Sequence, residues 1–473
     1  MNSNKKDANY PELSSNFLQL VSKMRPSFGQ ERVYQRAVAL LLAELFALGR
    51  HTVTQLLQTL GALDGDWSSW YRLFSEARFR EKLASRLLVQ EIGEEMANEP
   101  VIVAGADGVQ LPRTSRTMPG THWARALNTA YFAKGLVRAQ RYVAIWWLTP
   151  LVKGYSRAIP LRCLPAFVKK AVASSYPAAK EWAVGLELLV WLRQQLDELG
   201  WQQKWLLLIL DGSYDVAGLW AGLPERVWVI ARTARNRVLC YLPTPVQGKR
   251  KRGRPRQYGR RAKLPREWLK SRRQFQQTTV LVRGKPRPMR YQVRGPFLRH
   301  EAPDTPLFLL VIGGRTQKGK TLYQPSYYLV TAVQRQGRWQ LPLPIETLLT
   351  WLWQRWELEV GHRELKSGFG LGDKQGWHPT GTVVATQWTF WLYALLLLAA
   401  YQTWGVCGGP QPPGRWRKPA QRWSFNTLWR AYRIAFWELD DFRACWSPSA
   451  PNWQKKEAHL TAMANSLLGS MRA

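Results

Sequence analysis

Apolar positions follow a helical spacing through roughly the first hundred residues and then switch to short continuous runs, so the chain reads as two textures joined near Val101. Gln30 to Leu48 is an amphipathic helix stopped near Gly49. Thr52 to Leu60, Gly61, then Trp67 to Phe79 fits either a helix-turn-helix or plain bundle packing. After the switch, Val101 to Ala106 is an apolar run ending at Asp107-Gly108, and Tyr142 to Leu151 is rich in β-branched and aromatic residues. Lys153-Gly-Tyr-Ser predicts a turn from which Ala158 to Leu164 returns antiparallel. Glu181 to Leu199 is an amphipathic helix. Trp205 to Leu210 is an apolar strand ending at Asp211-Gly212, and Val227 to Ile230 is another. Strands resume at Phe308 to Ile312 and Tyr327 to Val333, followed by helices over Leu348 to Lys366, Thr382 to Trp404 and Phe425 to Trp437. The order is that of a mixed α/β protein with helical regions at both ends.

Leu348 to Lys366 reads as one helix. Pro344 suits its first position, Glu346 its first turn and Lys366 its last, with Gly368, Gly370 and Gly372 as stop signals. At 100° per residue, Leu348, Leu352, Arg355, Glu359, His362 and Lys366 lie within about 40° of one meridian. That line starts apolar and becomes polar, so one edge of the helix leaves the core. Glu346, Glu357 and Glu364 point the other way; taken alone, the helix also fits an ordinary amphipathic helix with a few i,i+4 charge pairs.

Composition narrows the class of partner. A net charge of +36 and a pI near 10.5 make a folded chain repel itself, which favours a polyanionic partner. The charge is concentrated: Arg232 to His300 holds 22 lysines and arginines against one acid, Glu267. Such one-sided charge suits phosphate contact. Within it, Arg252, Arg254 and Arg256 flank a Gly-Arg-Pro core resembling the AT-hook peptide, which lays arginines along a narrow minor groove; a flexible basic loop has the same composition. The four cysteines and six histidines show no zinc spacing and no disulfide framework. The N-terminus is polar, without a signal-peptide core, and the most hydrophobic run, Phe390 to Ala400, is too short to span a bilayer and reads as a core helix. The expectation is a cytoplasmic, nucleoid-associated protein that acts on double-stranded DNA and not on a membrane.

Three carboxylates stand out: Asp107 and Asp211 after apolar strands, and Glu359 on the polar edge of the later helix. Asp215 is the weaker alternative to Asp211, because no strand ends directly on it. Together the three match what two-metal phosphoryl transfer requires. Mg²⁺ takes hard oxygen ligands, and two ions held by carboxylates can serve the attacking and leaving oxygens. The expected ligands are Asp107, Asp211 and Glu359 for two Mg²⁺ ions, with Mn²⁺ as a substitute, while Arg355 and Lys366 meet DNA phosphates.

In these residues the chain resembles the DDE transposases of bacterial insertion sequences, in the branch marked by Tyr-x2-Arg-x3-Glu-x6-Lys. Arg355, Glu359 and Lys366 are in register, and Leu352 stands at the tyrosine position, flanked by Trp351 and Trp353. Asp107 to His122 looks like the first-aspartate region and Asp211-Gly-Ser-Tyr like the second. The resemblance implies an RNase H-like catalytic core interrupted by a basic β-rich insertion. The expected divisions are a helical N-terminal region over 1–99 that binds DNA ends, core segments over 100–235 and 341–405, the insertion over 236–340, and a linker with a helical C-terminal region over 406–473 that serves dimerisation. It further implies Mg²⁺-dependent cleavage at inverted-repeat ends, strand transfer into target DNA within a synaptic homodimer, and stacking of a flipped base on an insertion tryptophan, for which Trp339 is one position. A non-catalytic, domesticated transposase acting as repressor or architectural protein, and an RNase H-like nuclease, are the alternatives.

Overall fold

The computed structural model describes residues 9–126, 135–169, 176–244, 256–317, 320–411 and 420–437. Five helices come first: α1 (Tyr10–Lys23), α2 (Glu31–Phe46), α3 (Val53–Thr59), α4 (Ser68–Ser75) and α5 (Glu81–Met96). Thr52 caps α3 by accepting from the Gln55 backbone N–H at 3.1 Å.

Strands β1 (Val101–Pro112), β2 (His122–Arg125), β3 (Leu136–Leu148) and β4 (Ala158–Pro165) follow. Then come α6 (Glu181–Glu198), β5 (Trp205–Leu210), α7 (Ala217–Ala221), β6 (Val227–Arg232) and β7 (Leu239–Tyr241). After α8 (Pro265–Trp268) the chain is again β: β8 (Gln276–Val282), β9 (Lys285–Arg299), β10 (Ala302–Ile312), β11 (Arg315–Gln317), β12 (Lys320–Tyr323), β13 (Ser326–Thr331), β14 (Val333–Arg335) and β15 (Arg338–Gln340). Four helices close the described chain: α9 (Ile345–Gln354), α10 (Trp356–Ser367), α11 (Pro379–Trp404) and α12 (Phe425–Trp437).

Eleven of these strands form one sheet. β3 runs antiparallel between β1 and β4, with β2 on its first residues; β5 and β6 lie parallel to β1 on the other side. Beyond β6 the sheet does not stop. β13 pairs antiparallel with it, β10 with β13 and β9 with β10, while β7 and β8 both pair with β9. The later β-rich stretch therefore extends the first sheet edge to edge.

α11 explains how helices and sheet are held together. It is apolar on every side, and a helix with no polar face belongs inside a protein. Every residue from Gly381 to Ala400 is buried. By length and composition α11 could cross a membrane, but its apolar window lies wholly inside this fold, as expected of a core helix. One side packs on β4 and the other on α1, α4 and α5. Phe79 packs against Trp388 and Trp391 with ring centroids 5.3 and 5.0 Å apart.

Two expectations need correction. β1 does not end at Asp107 but continues to Pro112, because pairing with β3 persists after pairing with β5 has finished. And the stretch from Leu348 to Lys366 is two helices. The backbone of Arg355 stays helical (φ −53°, ψ −30°), but α9 ends before it and α10 opens after it with a Leu358 N–H to Arg355 C=O bond of 3.1 Å. A single helical wheel cannot be drawn through both. The residues from Arg355 onward keep their common face, whereas Leu348 and Leu352 belong to the preceding helix.

Candidate active site

The ladder between β1 and β5 ends on the pair Ala106 and Leu210. The next residue on each strand is an aspartate, Asp107 and Asp211. Parallel register puts the two side chains on the same face of the sheet. On β1 that face also holds Gly105, and α10 lies against it. A Cβ on Gly105 would come within 2.7 Å of a Leu358 methyl, and one on Gly361 within 2.6 Å of the Trp146 ring. Two glycines, one on the strand and one on the helix, thus let α10 approach closely enough to bring Glu359 and His362 over Asp107.

Around Asp107 the charges are tightly coupled. Its side chain is 19% exposed, and its Oδ1 accepts from the Gly108 N–H at 2.9 Å. Burial raises its carboxyl to a pKa of about 6; Arg355 opposes that rise, while Asp211 and Glu359 reinforce it. Glu359 pairs with Arg355 one turn earlier. Asp211 accepts from the backbone N–H and hydroxyl of Ser213, each at 2.6 Å. Lys366 is held below the ordinary lysine range, first by desolvation and then by Arg141, against the pull of Asp107. The three carboxylates, Arg355 and Lys366 therefore share one electrostatic neighbourhood.

The neighbouring acids are occupied elsewhere. Asp215 is fully buried, pairing with Arg237 at 2.6 Å and Arg299 at 3.0 Å and accepting from Trp220 and Thr233. Glu357 pairs with Arg422 at 2.7 Å and with Arg283 at 3.4 Å. Glu364 takes Arg157 and the Tyr393 hydroxyl, the latter at 2.6 Å. Glu346 accepts from Thr278 at 3.0 Å.

Carboxylate oxygens are the right donors for a hard divalent cation, and three mutually repelling acids are a site that such charge would relieve. Among the described residues, however, no three carboxylate, histidine or cysteine side chains stand close enough to grip one ion as they are. Glu359 is turned onto Arg355. The donor set is chemically of the right kind for a hard cation, but its carboxylates are not gathered around one.

Some partners were not legible beforehand. Gly105, Gly361 and Arg141 carry no motif, and Ser213 stood in the Asp211-Gly-Ser-Tyr stretch without an assigned role. His362 shared the meridian with Glu359 but suggested no role. Leu352, at the position of the signature tyrosine, lines a cavity of about 420 Å³ beside Arg355, together with Arg287, Tyr323, Trp353 and Trp356. Trp339 lies on β15 and is not part of that wall. Arg252 and Arg254 fall outside the described residues, and Arg256 is exposed.

Two aspartates just past the shared β1–β5 ladder, facing a helix-borne glutamate on a strongly basic chain, are consistent with an α/β protein of the nuclease type. The chain belongs to the DDE superfamily endonucleases: residues 23–295, more than half of its length, match that family. The matched stretch includes Asp107 and Asp211 and ends before Glu359. A search of curated proteins finds no match. The activity class is that of a nuclease or transposase, with DNA as substrate and divalent metal as the family's general requirement.

Proposed function

We propose that this protein is a DDE transposase that cuts DNA at inverted-repeat ends and joins the freed 3′-hydroxyl to target DNA. The observation that carries this is the register of β1 and β5: Asp107 and Asp211 are successive neighbours off one ladder, on the face where α10 brings Glu359. The strand arrangement β4-β3-β1-β5-β6, antiparallel then parallel, supports an RNase H-like core, with the strands from β7 to β15 as its insertion.

In this reading Asp107, Asp211 and Glu359 would hold two Mg²⁺ ions, with Mn²⁺ as a substitute. When bound, such ions raise the nucleophilicity of the attacking oxygen and neutralise the leaving one. The chain itself supplies position. Ser213 fixes the Asp211 carboxylate from one side, and the Gly108 N–H fixes that of Asp107. Arg355 neutralises Glu359 in the resting site and is a ready contact for a DNA phosphate, as is Lys366. The basic stretch carrying Arg252, Arg254 and Arg256 holds the duplex, and the aromatic cavity beside Arg355 is where an unstacked base would sit. The helical region over 1–99 reads transposon ends, and the region over 406–473 serves a synaptic homodimer.

The test uses the full chain and duplexes bearing the inverted repeats that flank its gene. Asp107→Asn, Asp211→Asn and Glu359→Gln are each expected to abolish Mg²⁺-dependent end cleavage while end binding, read by gel shift, persists. Wild-type cleavage by Glu359→Gln overturns the assignment. Cleavage by the unaltered chain without strand transfer would make it an RNase H-like nuclease.

A further inference from the structure

His362 sits on α10 between two rings, Trp146 at 4.9 Å and Phe390 at 6.2 Å between centroids, each nearly perpendicular to the imidazole. Its side chain is 10% exposed, and neither ring nitrogen has a hydrogen-bond partner. Nε2 faces Oδ2 of Asp107 at 3.8 Å, just beyond hydrogen-bond distance. A neutral imidazole carries one N–H, which either ring nitrogen can hold.

A buried N–H with no acceptor is costly, and the other nitrogen, as an acceptor, is the cheaper one to leave unpaired. The tautomer with its hydrogen on Nε2 therefore has a partner within a small movement, and that partner is Asp107. The other oxygen of the same carboxylate is already held by the Gly108 N–H.

We propose that His362 is a positioning residue for Asp107: its Nε2–H donates to Oδ2 in the DNA-loaded site, so that Gly108 and His362 each hold one oxygen and fix the plane of the carboxylate. This rests on Asp107 being a metal ligand. Each oxygen keeps a further lone pair for the cation. Trp146 and Phe390 prevent the imidazole from swinging away, and Gly361, one residue earlier, sets its height above the sheet. Outer-shell partners of this kind are worth about 10- to 100-fold in metal affinity or activity.

His362→Phe keeps the ring packing and removes the donor; His362→Gln restores a donor. Mn²⁺ binding to the full chain is read from the electron paramagnetic resonance signal of the free ion, beside end cleavage, end binding and thermal melting. The expectation is that His362→Phe weakens Mn²⁺ binding and slows cleavage by about 10- to 100-fold, with end binding unchanged, and that His362→Gln recovers most of both. Wild-type Mn²⁺ binding and cleavage by His362→Phe would overturn the proposal. So would a His362→Gln variant as impaired as His362→Phe, since that points to packing alone. Asp107→Asn separates this from the wider reading. If Asp107→Asn is dead while His362→Phe is unaffected, only the role of His362 falls; if Asp107→Asn binds Mn²⁺ and cleaves normally, the carboxylate assignment itself falls.

Discussion

Four glutamates lie between Glu346 and Glu364, and what distinguishes them is their partners. Glu359 is about one-third exposed and shares its charge with Arg355, which Asp107 also feels. Glu364 faces Arg157, whose side chain is 4% exposed and whose guanidinium lies 4.6 Å over the Trp423 ring. Removing the carboxylate there strands a buried cation, which costs roughly 3 to 5 kcal/mol. Glu364→Ala is thus expected to lower the melting temperature sharply while leaving cleavage per folded molecule intact, whereas Glu359→Gln does the reverse. Calorimetry with active-site titration separates the two; an inactive but stable Glu364→Ala would reassign the third acid. A second buried cluster responds to pH. Glu44 is fully buried, 2.5 Å from both Lys374 and His51. Burial works against its charge, but Lys374 and then His51 outweigh it and hold the carboxyl below its ordinary value of 4.5. A folded-state pKa below the unfolded one means stability present above pH 4.5 and lost as pH falls through the folded value. Glu44→Gln should therefore be much less stable than the parent near pH 7, with the gap closing below pH 4.5 in urea unfolding. A gap independent of pH would show that Glu44 is not ionised in the fold.

At the scale of elements, the glycine contacts carry the geometry. Gly361→Ala puts a methyl into the fully buried Trp146 ring, which has nowhere to turn. The expected cost is about 1 to 3 kcal/mol of overpacking. Displacing α10 by even about 1 Å should slow single-turnover cleavage up to about a hundredfold. Gly105→Ala should be milder, because the Leu358 methyls it meets belong to a flexible side chain. Unchanged cleavage in Gly361→Ala would mean that α10 is not the element that aims Glu359. Neither contact was visible in the sequence, because close approach between a strand and a helix far apart in the chain leaves no periodic signal. What was legible was local. Trp205 to Leu210 has the bounds its apolar pattern predicts, a helix starts at Phe425 as expected, and Ala158 to Leu164 returns antiparallel as its turn allows. The break at Arg355 was not legible: its dihedrals are helical, and only the hydrogen-bond pattern marks it. The extension of β1 past Asp107 depends on β3, which the residues around Asp107 do not announce.

Across the whole molecule, charge and connectivity tell one story. The net charge of +36 is carried largely by the segment after β6, and the strands of that segment are hydrogen-bonded onto β6 through β13. In the proposed function, DNA held there would bear on the same sheet that presents Asp107 and Asp211. The N-terminal helices join in through the loop after α10: Glu44 of α2 pairs with Lys374, and Arg113, just past β1, donates to the Gly372 carbonyl at 2.6 Å. That architecture also orders when Asp107, Asp211 and Glu359 can meet. During synthesis β6 emerges with an open edge that stays unpaired until Ser326–Thr331 is made, and α10 emerges later still. A growing chain that already displays the two aspartates and much of its basic surface still lacks the third acid. If Asp107, Asp211 and Glu359 act together as proposed, a product terminated before α10 is expected to hold DNA in a gel shift without cutting it, making interrupted synthesis a source of competitors for DNA sites and not of stray nuclease.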